Sequence, residues 1–284
     1  MRRVCILATT AMSVLMVFGL TRFVSGDFPD MMMRVPGDAN VLMVMDVQGI
    51  MASPLAQKEG WKEKRSADYA ARPLTFPPQV TKLIRAAHVD MELHEAKWQV
   101  AILEAGKIPP LETIEKNMQG YVDTVANTKT VWSPRGWYGY MTGGGALAEM
   151  FPANRQYVSR WIKEPSGRAP VYLQQAAAGV RSSGPQIMLA LDLEDIVQPQ
   201  QLEERLKQRK SLVGVKNFSD IARTVSTVQG VRFTVTIADK ATGTLTVDFG
   251  SNTAALKDVA KPLLLEALGH AGLYLEDWRA GPLP

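Results

Sequence analysis

The chain has 284 residues, 46% of them apolar, and its 32 basic side chains against 28 acidic ones give a formal charge of +4. A balance this close to neutral supplies no clustered Lys/Arg footprint of the kind that nucleic acid requires. The single cysteine, Cys5, rules out an intramolecular disulfide, and the length suits one large domain or two small ones.

The first 26 residues read as a signal peptide or an N-terminal anchor. Arg2 and Arg3 are a basic start, Val4 to Leu20 an apolar run, and Val24 and Gly26 small residues at a cleavage position. The run is just long enough to cross a hydrocarbon core of about 30 Å, so anchoring is the alternative. Cys5 lies inside the run and not at its end, which is the wrong place for lipid attachment. Cleavage removes Arg2, Arg3 and Arg22, leaving 29 basic against 28 acidic side chains and no cysteine. Export without disulfides fits a bacterial envelope protein, periplasmic or anchored facing the extracytoplasmic side.

The stretch Val41 to Met51, VLMVMDVQGIM, returns 146 residues later as Ile187 to Val197, IMLALDLEDIV, with Asp46 matched by Asp192. Continuous apolar runs of this length predict strands covered on both faces. After the first, Ser53-Pro54 opens a helix. After the second, Pro199 opens one, with Glu203 and Lys207 spaced as a favourable pair, and Asn217 or Ser219 caps another. Residues 81–106 then predict a hairpin turning near Glu92 to Ala96, and residues 231–250 a second, turning around Lys240 to Gly243. Helices follow each hairpin, over residues 109–118 and 252–272, the latter interrupted by Pro262.

The repeated order predicts an α+β fold of two duplicated ferredoxin-like βαββα(β) halves with mainly antiparallel sheets. Tyr121 to Ala126 serves as fourth strand in the first half and Leu273 to Glu276 in the second. Residues 27–164 form the first repeat and 165–284 the second, divided in the segment Glu164 to Ala169. The first repeat carries an inserted aromatic hairpin turning at Ser133 to Gly136. A helix follows, capped by Asn154, with Tyr157, Val158, Trp161 and Ile162 on one stripe.

Four groups of residues are candidate sites. Asp46 and Asp192 each end a strand where a carboxylate caps the following helix; the functional alternative is that the repeat brings both together as a proton-transfer or cation site at the seam. His88, Asp90, Glu92 and His94 alternate, which on an unbroken strand offers nitrogen and oxygen ligands to a divalent metal, although the hairpin turn falls among them. The simpler reading is a polar edge strand. Trp132, Trp137, Tyr138 and Tyr140 are either a partner-binding platform or cross-strand pairs covering a core. Gly143 to Gly145 lacks the residues of a phosphate loop and reads as a bend, His270 reads as a helix C-terminal residue, and HExxH and G-x-S-x-G are absent.

The segment VPGDANVLMVMDVQGIMASPLAQKEGW, together with FPANRQYVSRWIKE, resembles uncharacterised exported proteins of planctomycete-like bacteria. The resemblance implies export and brings no established activity. The expectation is a non-enzymatic envelope protein, a binding or assembly module for an envelope partner or small ligand, without cofactor and without nucleic acid. The alternative is a small-ligand or divalent-metal protein, with or without enzymatic activity, whose site lies at the seam.

Overall fold

The computed structural model describes residues 2–6 (backbone only), 28–71, 77–93, 95–164, 169–180, 184–209, 212, 215–257 and 259–260. Most of the signal segment, the division within Glu164 to Ala169, His94, His270 and the proposed last strand Leu273 to Glu276 lie outside the described residues. Arg2–Ile6 form strand β1. Among the described residues no helix is long and apolar enough to cross a membrane.

The chain divides into two compact units, and the division does not follow the expected halves. Among the described residues the larger holds residue 6 and those within 28–192 and 231–245; the smaller holds 2–5 and those within 193–230 and 246–260. The smaller unit contains helices α8 (Pro199–Lys207) and α9 (Phe218–Val225), whose Leu206, Ile221 and Ala222 pack with Val228, Phe249 and Leu256.

The larger unit begins with α1 (Pro29–Met32) and strand β2 (Val41–Asp46). Three short helices follow: α2 (Val47–Ala52), α3 (Pro54–Lys58) and α4 (Trp61–Ala71). Strands β3 (Val80–Asp90) and β4 (Glu95–Ala105) form a hairpin, then come α5 (Leu111–Met118), β5 (Tyr121–Val125), β6 (Thr128–Ser133), β7 (Trp137–Met141) and β8 (Leu147–Phe151). Helices α6 (Arg155–Lys163) and α7 (Val171–Ala177) lead to β9 (Ile187–Asp192); the outer parts of β10 (Val228–Ile237) and β11 (Ala241–Phe249) complete the unit. Their order in the sheet is β11-β10-β9-β2-β3-β4-β8-β7-β6-β5.

The two similar phrases are neighbours in this sheet. β2 pairs antiparallel with β9, Val41 opposite Leu191 and Met45 opposite Ile187, and the equivalent positions Met43 and Leu189 face each other at the middle. A local two-fold axis therefore passes through matching places in the two phrases. On the other side β2 pairs directly with β3. A split βαβ unit would separate those strands by a third, so the strand order departs from the ferredoxin-like expectation. The fold class itself, α+β with a mainly antiparallel sheet, is as expected.

The expected aromatic insertion is part of the sheet. β8, buried at Leu147, Ala148, Glu149 and Met150, takes the free edge of β4, and β7 and β6 extend from it, leaving β5 outermost. β5 thus cannot be the fourth strand beside β2. The placement follows from burial: β8 buries Leu147, Ala148 and Met150 in the inner position, where each large apolar side chain fully buried contributes about 1.5–3 kcal/mol, whereas β5 has only Val125 buried.

One face of the sheet carries the larger apolar cluster. Leu42, Val44, Ile84, Ile102, Met188 and Ala190 pack there against Met31, Val158, Trp161 and Leu173. On the other face Leu83, Leu103, Val131, Trp137 and Leu147 meet Val47 of α2 and Leu111, Ile114 and Met118 of α5, with Met43, Met45 and Met51 only partly buried. The double cover expected of β2 and β9 is therefore incomplete, and Leu189 is 40% exposed on the second face.

Candidate functional site

The incompletely covered face lies beneath α4. Gly60, with φ +62°, ends α3 and turns the chain into α4, a conformation that a side chain disfavours. No residue of α4 is fully buried. Its positions Trp61, Lys64, Arg65, Asp68 and Tyr69 follow the i, i+3, i+4, i+7, i+8 spacing of one helical stripe and line a cleft of about 540 Å³. Opposite them lie Met43 and Met45 of β2, Val80, Leu83 and Arg85 of β3, and Val47, Ile50 and Met51 of α2. The volume falls within the roughly 300–1,000 Å³ usual for small-ligand sites.

The pairing of β2 with β3 sets the floor. Met43 is opposite Arg85 and Met45 opposite Leu83, so two thioethers, an isobutyl group and a guanidinium share one patch. Three methionines in one wall give a surface that can reshape around different apolar guests, because the side chain is unbranched and polarisable. Arg65 Nη2 donates to Pro77 O at 3.0 Å, which ties α4 to the segment before β3, and partial burial lowers its guanidinium pKa.

A smaller pocket adjoins the cleft and shares Tyr69 and Val80 with it. Its wall includes Leu103, Ile114, Met118, Leu147 and Glu149. Glu149 is buried on the same sheet face, in line with Ala101 of β4. Loss of hydration raises its carboxyl pKa to about 8, against the opposing attraction of Arg85. Near neutral pH it is mostly protonated and so adds little negative charge to this region.

The residues singled out from sequence are distributed elsewhere. Asp46 is buried and caps α2: its Oδ1 accepts from Gly49 N at 2.9 Å. Asp192 stands at the opposite end of the same strand pair, its N donating to Asn40 O, while Asp46 N donates to Gln186 O. Antiparallel pairing thus separates the two carboxylates by the strand length, roughly 20 Å at about 3.4 Å per residue. They do not form one site.

His88 Nδ1 lies 2.7 Å from Asp38 O. Asp90 accepts from the backbone N of Glu92 and of Leu93 and pairs with Lys97, and these contacts hold its carboxyl below the ordinary range. Residues 91–93 are turn, so the alternating row stops at Asp90 and Glu92 sits on the bend. Among the described residues no group of three His, Cys, Asp or Glu is placed to hold a metal ion.

Trp137, Tyr138 and Tyr140 are buried, which removes three of the four rings from any exposed platform. Tyr140 meets Trp161 edge-on at 5.3 Å between centroids, and Tyr138 OH donates to Asp123 Oδ2 at 3.1 Å. Trp132 is half-buried and stacks on Tyr121 at 5.1 Å.

The stripe of α4 escapes a reading based on apolar periodicity because three of its five members are charged. The signal was there in another form: aromatic residues at 61 and 69 bracket the charges at helical spacing, after a methionine-rich strand.

No protein-family model matches the chain, and no curated protein matches it. Similar solved structures include crystal form III of TP0453, with a TM-score of 0.44 and 10% identity over 78% of this chain and 80% of that one. Crystal form IV of TP0453 gives 0.42 and 10% over 76% and 79%, and crystal form I gives 0.39 and 12% over 81% of each.

Proposed function

We propose that this protein is a non-enzymatic, exported binding module that holds an apolar small ligand in the cleft between α4 and the methionine-bearing sheet face. The observation that carries the reading is the cleft itself, about 540 Å³ between a helix without a buried residue and a wall of Met43, Met45, Met51 and Leu83. A helix that served only as a core element would bury its inward stripe. Here Trp61, Arg65 and Tyr69 are half-buried and Lys64 and Asp68 exposed, which leaves room for a guest. The envelope location rests on the basic and apolar N-terminal sequence together with the absence of cysteine after it.

The cleft lies along β2, one of the two strands that meet at the local two-fold axis, so the module also fits the idea of a ligand site near the seam. The order strand, helices, hairpin on both sides of that axis supports descent of the two arms from one duplicated segment. Met43 opposite Leu189 is the feature that favours this history.

Binding of the uncharged dye Nile red to the mature chain tests the reading. Saturable binding to wild type, reduced at least about ten-fold in Met45→Trp with an unchanged thermal midpoint, is the expected result. A Met45→Trp protein that folds and binds the dye as well as wild type would contradict it.

A further inference from the structure

We infer that the occupant of the cleft is a single-chain anionic amphiphile, a long-chain carboxylate, with its tail on the methionine wall and its head at the exposed rim. The inference rests on the binding role proposed above and adds the charge and shape of the ligand. Three cations, Lys64, Arg65 and Arg85, and one acid, Asp68, line the cleft, so its charged border is positive by two. Lys64, Asp68 and Arg85 are exposed, whereas Met43, Met45 and Met51 are half-buried and Leu83 buried. The site thus joins an apolar patch of Met43, Met45 and Leu83 to exposed cations on both sides, Lys64 on the helix and Arg85 on the sheet.

The arrangement along β3 gives this polarity a direction. Arg85, Leu83 and Val80 succeed one another on the same sheet face, from the guanidinium toward the smaller pocket that Val80 and Tyr69 share with the cleft. A chain laid along this line starts at a cation, runs over Leu83 and reaches Val80 at the mouth of the inner pocket, whose own volume of about 30 Å³ takes no more than a terminal methyl group. Glu149, the one acid lining that inner pocket, is mostly uncharged near neutrality and so does not repel an anionic guest. The volume suits one chain better than the two of a bilayer phospholipid, being in the middle of the small-ligand range.

Calorimetric titration of the full mature chain with dodecanoate, dodecanol and dodecyltrimethylammonium, each below its aggregation concentration, separates tail from head. Dodecanoate is expected to bind about ten-fold or more tightly than dodecyltrimethylammonium, as one charge-assisted contact predicts. Lys64→Glu is expected to weaken dodecanoate several-fold and leave dodecanol unchanged, and Met45→Trp to weaken both. Equal affinity for all three amphiphiles would overturn the inference about charge while leaving the apolar cleft intact. Binding of none of them would overturn the binding role itself, and dodecanoate binding unaffected by Met45→Trp would place the ligand elsewhere and overturn the inference.

Discussion

Asp46 and Asp192 occupy equivalent places in two similar phrases, yet stand at opposite ends of one antiparallel strand pair, Asp46 N bonded to Gln186 O and Asp192 N to Asn40 O. The same two-fold relation that makes them equivalent keeps them apart. Each therefore acts on its own strand end. Asp46→Ala is expected to cost about 1 kcal/mol through the lost α2 cap. The Asp46→Ala, Asp192→Ala double variant should show additive losses within about 0.5 kcal/mol in urea unfolding. A coupling well above that value would mean the carboxylates interact.

Gly49 is tied to Asp46 by space as well as by its hydrogen bond. A Cβ at Gly49 would fall 2.4 Å from Asp46 Oδ2, so Gly49→Ala must displace a buried carboxylate. The expected loss is about 1–3 kcal/mol by overpacking. In an Asp46→Ala background the alanine should cost markedly less, which a double-mutant cycle in urea measures.

Glu149 makes stability depend on pH. Its folded pKa of about 8 lies above the ordinary 4.5, so the folded state holds a proton that the unfolded state has released. This contribution is fully present below about 4.5 and is lost as pH rises through about 8. Glu149→Gln keeps the shape and removes the titration. Its stability relative to wild type should rise across that window by on the order of a few kcal/mol and level off above it, as followed by unfolding midpoints at several pH values.

The aromatic residues of β6 and β7 should differ sharply in their importance to folding. Trp137 is 7% exposed among Leu111, Ile114, Val131 and Leu147, and its truncation to alanine should cost roughly 3–5 kcal/mol. Trp132, half-buried and stacked on Tyr121, should cost only about 1 kcal/mol. Near-neutral behaviour of Trp137→Ala would show that the ring is not part of the core.

Local signals in the chain were readable and pairings were not. Ser53 accepts from Ala56 N ahead of Pro54, and Asn154 accepts from Gln156 N and Tyr157 N, as the capping residues at those positions predict. Val41–Asp46 and Ile187–Asp192 are strands, and both hairpins form, because apolar runs and turn residues act over a few positions. That β8 and not β5 lies beside β4 depends on contacts between residues far apart in sequence, for which periodicity carries no information. The apolar run of β2 predicted cover on both faces; the methionines at 43 and 45 instead border a cleft. Hydrophobicity alone does not distinguish a wall facing a helix from a wall facing a guest.

The most direct test follows the methionine methyl signals of the protein by NMR as dodecanol is added. Met43, Met45 and Met51, which line the cleft, should shift together and saturate with one ligand, while Met150 and Met188, buried on the opposite sheet face, stay in place. Shifts confined to the second group, or no shift at all at saturating dodecanol, would contradict a ligand beneath α4.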